Sequence, residues 1–186
     1  MDENKAKGSL KGDAGSLFGQ YGTMQGKPSF WGAFRILLVK PGVQAILGYR
    51  FYHKLYKIRL RLLAEICCRI NFFFNGVEID PGAEIGSGCR IWHASGVVIG
   101  RGVRVGNNVS IFANVTLGGI GHSIFHHGDP GYPEIGDNVI LYTGVTIVGP
   151  VKIGNNTVIG AHSLVLDSLP SDCLAAGTPA KIIKQA

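Results

Sequence analysis

From residue 77 onward an aliphatic side chain recurs every six positions. Ile79, Ile85 and Ile91 begin the series, Ile99, Val105, Ile111 and Leu117 continue it, and Ile135, Leu141, Ile147, Ile153, Ile159 and Val165 end it. Four positions after members of the series sits a small or branched residue: Ala83, Cys89 and Ser95, then Val103, Val109 and Val115, then Val139, Val145, Val151, Thr157 and Ser163. A helix repeats at 3.6 and a strand at 2, so neither produces this period. A parallel β-helix of hexapeptides does: each hexapeptide is one short edge and one corner, three close a coil, and the aliphatic residue points inward beside its small companion. Corners need backbone conformations that Gly, Asn and Asp tolerate. "GNN" at 106–108, "GDN" at 136–138 and "GNN" at 154–156 supply them.

The rhythm breaks twice. In "RIWHASGVVIG" (90–100) it slips by two residues, and His93 sits at the slip. In "GGIGHSIFHHGDPGYPE" (118–134) it stops, which predicts a protruding loop carrying His122, His126 and His127. Insertions in repeat folds commonly build the binding face.

Ahead of the repeat the period is helical. Ser29 can cap a helix over "FWGAFRILLV", and Pro41 stops it and opens another. Val43, Leu47, Phe51, Leu55, Ile58 and Leu62 form one stripe, continued by Leu63, Ile66, Cys67, Ile70, Phe73 and Phe74. This apolar side is expected to pack on the following domain or on a sister subunit. The predicted organisation is a disordered tail over 1–28, a small α-helical segment over 29–75, and a β-helix over 76–186 with its loop at 118–134.

Net charge is +6, and between 40 and 70 Lys40, Arg50, Lys54, Lys57, Arg59, Arg61 and Arg69 face Glu65 alone. A solvated helix face explains such a patch, and so does an anionic partner. Peripheral membrane contact through 40–70 is the partner kept in view; nucleic acid is not expected. No apolar run reaches membrane-spanning length. "MDENKAKGSLKGD" is charged with no apolar stretch behind it, unlike a secretory leader. A cytoplasmic location is the expectation. Cys67, Cys68, Cys89 and Cys173 lack metal-ligand spacing and read as free thiols.

Five stretches carry a resemblance: "GVEIDPGAEIG" (76–86), "HASGVVIG" (93–100), "NVTLGG" (114–119), "IGDNV" (135–139) and "LVLDSLPSDCLAAGTPAKII" (164–183). From Pro41 onward the chain resembles the left-handed β-helix acyltransferases, and among them the serine acetyltransferases and the polysaccharide-biosynthesis O-acetyltransferases. The resemblance implies an all-β left-handed parallel β-helix behind the helical segment, acetyl-CoA as co-substrate, and a homotrimer with sites between subunits.

It also implies roles. His93 matches the family's general base. Glu78, fifteen residues earlier, stands where the family carries the Asp that orients it, and Asp80 is close enough to serve instead. A neutral imidazole with a pKa near 6.5 accepts a proton at physiological pH, and such a base supplies roughly 10²–10⁴-fold. His122 follows Val115 by seven residues, the spacing of the catalytic histidine in related sugar acetyltransferases, and is a second candidate base or an acceptor-binding group. Gly119, Thr143, Gly144, Gly160 and Ala161 match positions that let CoA approach. Gly177 and Pro179 shape the last turn, where Lys181 and Lys184 can meet phosphates. His162 faces outward in the last coils.

The acceptor side departs from the serine enzymes. Trp92 replaces an Asp, and Gly131 and Tyr132 replace an Arg-His pair, groups that hold the charged ends of free serine. Aromatic Trp92 and Tyr132 suit the apolar faces of a sugar. The leading expectation is therefore acetyl-CoA-dependent O-acetylation of a sugar or polysaccharide-precursor hydroxyl. The alternatives are serine O-acetylation and a non-catalytic or zinc-binding β-helix of the γ-carbonic-anhydrase type, with His93, His122 and His127 as ligands. No metal is expected under the leading reading.

Overall fold

The structure, a computed structural model, describes residues 30–120 and 131–185. Three helices come first: α1 (Phe30–Val39), α2 (Pro41–Lys57) and α3 (Arg61–Asn75). The chain then winds through three parallel sheets in turn. Sheet A holds β1 (Val77–Ile79), β4 (Val97–Ile99), β7 (Thr116–Gly118), β10 (Thr146–Val148) and β13 (Leu164–Val165). Sheet B holds β2 (Glu84–Ile85), β5 (Arg104–Val105), β8 (Glu134–Ile135) and β11 (Lys152–Ile153). Sheet C holds β3 (Arg90–Ile91), β6 (Ser110–Ile111), β9 (Ile140–Leu141), β12 (Val158–Ile159), β14 (Cys173–Gly177) and, antiparallel at its edge, β15 (Ala180–Gln185).

Every aliphatic residue of the six-residue series is buried. The two breaks are visible in the register. Ile79 lies opposite Ile99, twenty residues on, whereas Ile99 lies opposite Leu117, eighteen on. Val105 lies opposite Ile135, thirty on, so the second break adds twelve residues and leaves the coil in phase. Ser95, expected inside, is exposed; the two added residues pass its inward place to Val97, which is fully buried.

The first coil has no coil before it, so its outward carbonyls need other donors. The helices provide them. Tyr52 Oη donates to Ile79 O at 2.9 Å, Tyr49 Oη to Ala83 O at 2.8 Å, and His53 Nδ1 lies 2.8 Å from Pro81 O. Cys68 Sγ donates to Ile79 O, and Arg50 reaches the carbonyls of both Ile85 and Gly86. Arg50 is thus buried capping the coil rather than part of the exposed basic patch. Burial pushes the Tyr49 and Tyr52 hydroxyls well above the ordinary tyrosine range, so both remain donors.

The helical stripe does not continue through one rod. Arg59, at φ +67°, turns the chain between α2 and α3, and α3 folds back so that Asn71 Nδ2 bonds Ala45 O at 3.2 Å. The stripe packs on the following domain, the first of its two expected places, only in part. α2 buries Val43, Ala45, Ile46, Tyr49, Arg50 and Tyr52, while Phe51 and Ile58 are exposed. α3 buries Ala64, Cys68, Asn71 and Asn75 and exposes Leu62, Leu63, Ile66, Ile70, Phe73 and Phe74. The reason is reach: only small or amide side chains let α3 approach α2 and bond its backbone. None of the four cysteines is in a disulfide; Cys67 is half-buried and the others are buried.

Candidate functional site

The slip falls where the chain turns from sheet C into sheet A. At this corner successive coils align as columns. Trp92 N donates to Ile111 O, Phe112 N to Leu141 O, Tyr142 N to Ile159 O and Gly160 N to Ala175 O, so these four occupy one column. Asn114 N donates to Ser95 O, Gly144 N to Ala113 O and His162 N to Thr143 O, which makes Gly96, Asn114, Gly144 and His162 a second column. His93 and Ala94 are the two residues inserted between the columns. His93 takes a left-handed conformation, φ +40°, and its carbonyl accepts from Ser95 N at 2.7 Å. The insertion pushes its imidazole off the coil surface, where it is exposed.

Trp92 is only half-buried, and it packs on Phe112 with ring centroids 5.9 Å apart and planes at 14°. Phe112 in turn meets Tyr142 at 5.0 Å and 30°. The sequence reading missed Phe112 and Tyr142, though the signal was present: each directly follows the inward residue of its hexapeptide, as Trp92 follows Ile91. The ladder ends at Gly160, where a Cβ would stand 2.8 Å from the Ala176 Cβ.

The candidate CoA residues fall into two groups. Thr143, Gly144, Gly160 and Ala161 lie along the His93 corner, and Thr178 Oγ1 donates to His162 O at 3.2 Å, bringing the turn beyond Gly177 alongside. Gly144 lets His162 close in: a Cβ there would lie 2.4 Å from Nδ1 of His162. Lys181 is exposed on β15. Gly119 follows β7 at the far edge of sheet A, towards sheet B. Tyr132 is at that far corner too, its ring 2.5 Å from the place a Gly102 Cβ would take. Within one chain, therefore, Trp92 and Tyr132 do not form a pair; sheet A separates them. His122, His126 and His127 lie outside the described residues.

Glu78 sits at the centre of β1 on the outer face of sheet A, opposite Val98, in a row continued by Thr116, Thr146 and Leu164. Gly96 N bonds Gly76 O at 3.0 Å, which holds the slip corner against the start of β1. Glu78 and His93 share no hydrogen bond or ion pair with each other. The other candidate carboxylate is engaged: Asp80 Oδ1 accepts from Gly82 N at 2.7 Å and from Arg101 Nε at 3.3 Å. That bond raises the Arg101 pKa and commits Asp80 away from the His93 corner.

The remaining outer face is structural. Lys57, Glu84, Arg104, Glu134 and Lys152 alternate in sign along sheet B at 3.4–3.8 Å. All are exposed except the half-buried Glu134, so the row keeps that face solvated and contributes little stability. Among the described residues no group of three or more His, Cys, Asp or Glu could hold a metal ion.

Comparison with known proteins agrees with this geometry. Residues 76–118 match the model described as the hexapeptide repeat of succinyl-transferase, and residues 132–167 match that of the bacterial transferase hexapeptide. The serine acetyltransferase of Staphylococcus epidermidis is 40% identical over 158 residues, covering 85% of this chain and 72% of the relative. A serine acetyltransferase in complex with CoA superposes with a TM-score of 0.82 at 29% identity, over 97% of this chain and 71% of that one. The Neisseria gonorrhoeae serine acetyltransferase in complex with serine superposes at 0.81 with 31% identity, over 96% and 69% respectively.

Proposed function

The chain belongs to the serine acetyltransferase family of left-handed, hexapeptide-repeat β-helix transferases, and on that premise we propose that it moves the acetyl group of acetyl-CoA to the hydroxyl of serine with His93 as general base. It is an acyltransferase that uses acetyl-CoA. The observation that carries the assignment of the base is the slip itself: two added residues lift His93 from a corner whose other columns stay in register.

The chemistry then follows from the groups at hand. Neutral His93 takes the hydroxyl proton as the acceptor oxygen attacks the thioester carbonyl. The tetrahedral intermediate collapses, the C–S bond breaks, and the CoA thiolate leaves with the proton that His93 returns. Glu78 is the carboxylate assigned to orient and balance the imidazolium, because Asp80 is held by Arg101. The pantetheine arm is assigned to the corner of Thr143, Gly144, Gly160 and Ala161, and Lys181 to its phosphates. A trimer whose neighbour closes the corner is part of the same proposal.

A second acceptor, a sugar hydroxyl, is favoured by one feature. Trp92, Phe112 and Tyr142 make an aromatic wall beside His93, and the corner stretches 92–98, 112–116, 142–146 and 160–164 contain no Lys, Arg, Asp or Glu. Free serine would leave two charges to be paired from elsewhere. Release of CoA thiol from acetyl-CoA, with L-serine or nucleotide sugars offered separately, decides between them. Turnover with L-serine supports the first reading; turnover only with a sugar replaces it with the second.

A further inference from the structure

Helix α3 wears its apolar side outward. Ala64, Cys68, Asn71 and Asn75 face the fold, while Leu62, Ile66, Ile70 and Phe73 line the opposite side, with Phe73 81% exposed. Leu63 and Phe74 widen the stripe, and Phe51 of α2 extends it across a groove of about 380 Å³ that Ile70 and Phe74 also line. Contiguous exposed apolar surface of this kind marks a docking face.

Charge identifies what docks. Besides the buried Arg50, residues 29–75 hold seven Lys and Arg against Glu65 alone, whereas residues 76–186 hold six against eight Asp and Glu. The positive charge is thus concentrated in the helices that carry the apolar stripe. Glu65 is 4.0 Å from Arg101 of the β-helix, which leaves little negative charge on the helical face. Arg59, Arg61 and Arg69 are exposed on the same helical segment, Arg61 with its guanidinium 5.8 Å over the Tyr56 ring, on stems long enough to stand at a different depth from Ile66 and Phe73. A second copy of the same face would set these cations against their own kind. No described helix is long and apolar enough to cross a membrane, so the match is to a surface.

We propose that the outward face of α3, with Phe51 of α2, binds the surface of an anionic lipid bilayer, its aliphatic and phenyl groups entering below the headgroups and its arginines meeting their phosphates. The proposal is independent of which acceptor the β-helix acetylates.

The test is co-sedimentation of the full chain with vesicles of phosphatidylcholine alone and with vesicles one third phosphatidylglycerol. The expected result is binding to the anionic vesicles that weakens as salt rises. Arg59→Gln, Arg61→Gln and Arg69→Gln together should weaken it by on the order of a hundredfold, and Ile66→Asp with Phe73→Asp by roughly tenfold or more. An unchanged melting temperature and unchanged acetyl-CoA thiol release show that each variant is folded; the two sets act independently, so loss of one through misfolding leaves the other decisive. No binding, or equal binding to both vesicle types, overturns the proposal. So does a higher oligomer of the wild type that Ile66→Asp with Phe73→Asp dissolves, since the occupant would then be a second copy.

Discussion

The indole of Trp92 lies almost parallel to the ring of Phe112, 5.9 Å away, one coil further along the same corner. Phe112 therefore sets the plane of the residue next to His93. Phe112→Ala removes a ring pair worth about 0.5–1.5 kcal/mol. The expected outcome is a several-fold rise in KM for the acceptor, with KM for acetyl-CoA unchanged. Steady-state kinetics with each substrate varied in turn checks it; equal rises in both would mean the corner had collapsed rather than tilted.

The helical cap is predicted to stabilise the whole coil. Tyr49→Phe leaves the Ala83 carbonyl of the first coil without its tyrosine donor, costing about 1–3 kcal/mol, and Tyr52→Phe should cost less because Cys68 Sγ still bonds Ile79 O. Arg50→Met should cost more, because two carbonyls lose a partner at once. Urea unfolding curves measure this, and a shift within about 0.5 kcal/mol for Arg50→Met would show that the cap is dispensable.

Gly42 ties α2 to the slip. A Cβ on it would fall 2.0 Å from Ile91 O, one residue ahead of Trp92. Gly42→Ala must displace either the helix or the strand, at an expected cost of about 1–3 kcal/mol. Because Ile91 leads into His93, kcat should fall alongside the melting temperature. A destabilised variant with full kcat would separate the helix from the site.

How far the sequence reached depends on how local the signal was. The hexapeptide phase is a covalent regularity, so Ile79 through Val165 could be placed inside without knowing any contact. The slip was legible for the same reason, and with it His93. The inverted face of α3 was not. Periodicity assigns the wider apolar stripe inward, but here Asn71 and Ala64 win the inner side because close helix packing and the bond to Ala45 O matter more than apolar area. The separation of Trp92 from Tyr132 was also hidden, since the resemblance matches positions along the chain and says nothing of which corner each occupies. Asp80 stands in the sequence as a substitute for Glu78, and only the fold shows that Arg101 holds it.

His53 gives the stability a pH dependence. Burial holds its imidazole below the ordinary 6.5, with the Pro81 carbonyl opposing the shift and Lys57 and Arg50 adding to it. Below about pH 6.5 the unfolded chain takes up a proton that the folded one resists, so stability is full above that pH and falls as pH drops towards the folded pKa. His53→Gln should flatten this decline between about pH 7 and 5 in thermal melts. An unchanged slope would place the acid sensitivity in another group.

The proposed mechanism turns on which histidine takes the proton. The direct measurement is the rate of CoA thiol release from acetyl-CoA, with the acceptor that wild type uses, in His93→Ala and His122→Ala side by side. With His93 as the base, His93→Ala should lose roughly 10²–10⁴-fold, with kcat falling and KM for acetyl-CoA held, and His122→Ala should change much less. Thiol release that survives His93→Ala and disappears in His122→Ala would contradict that assignment.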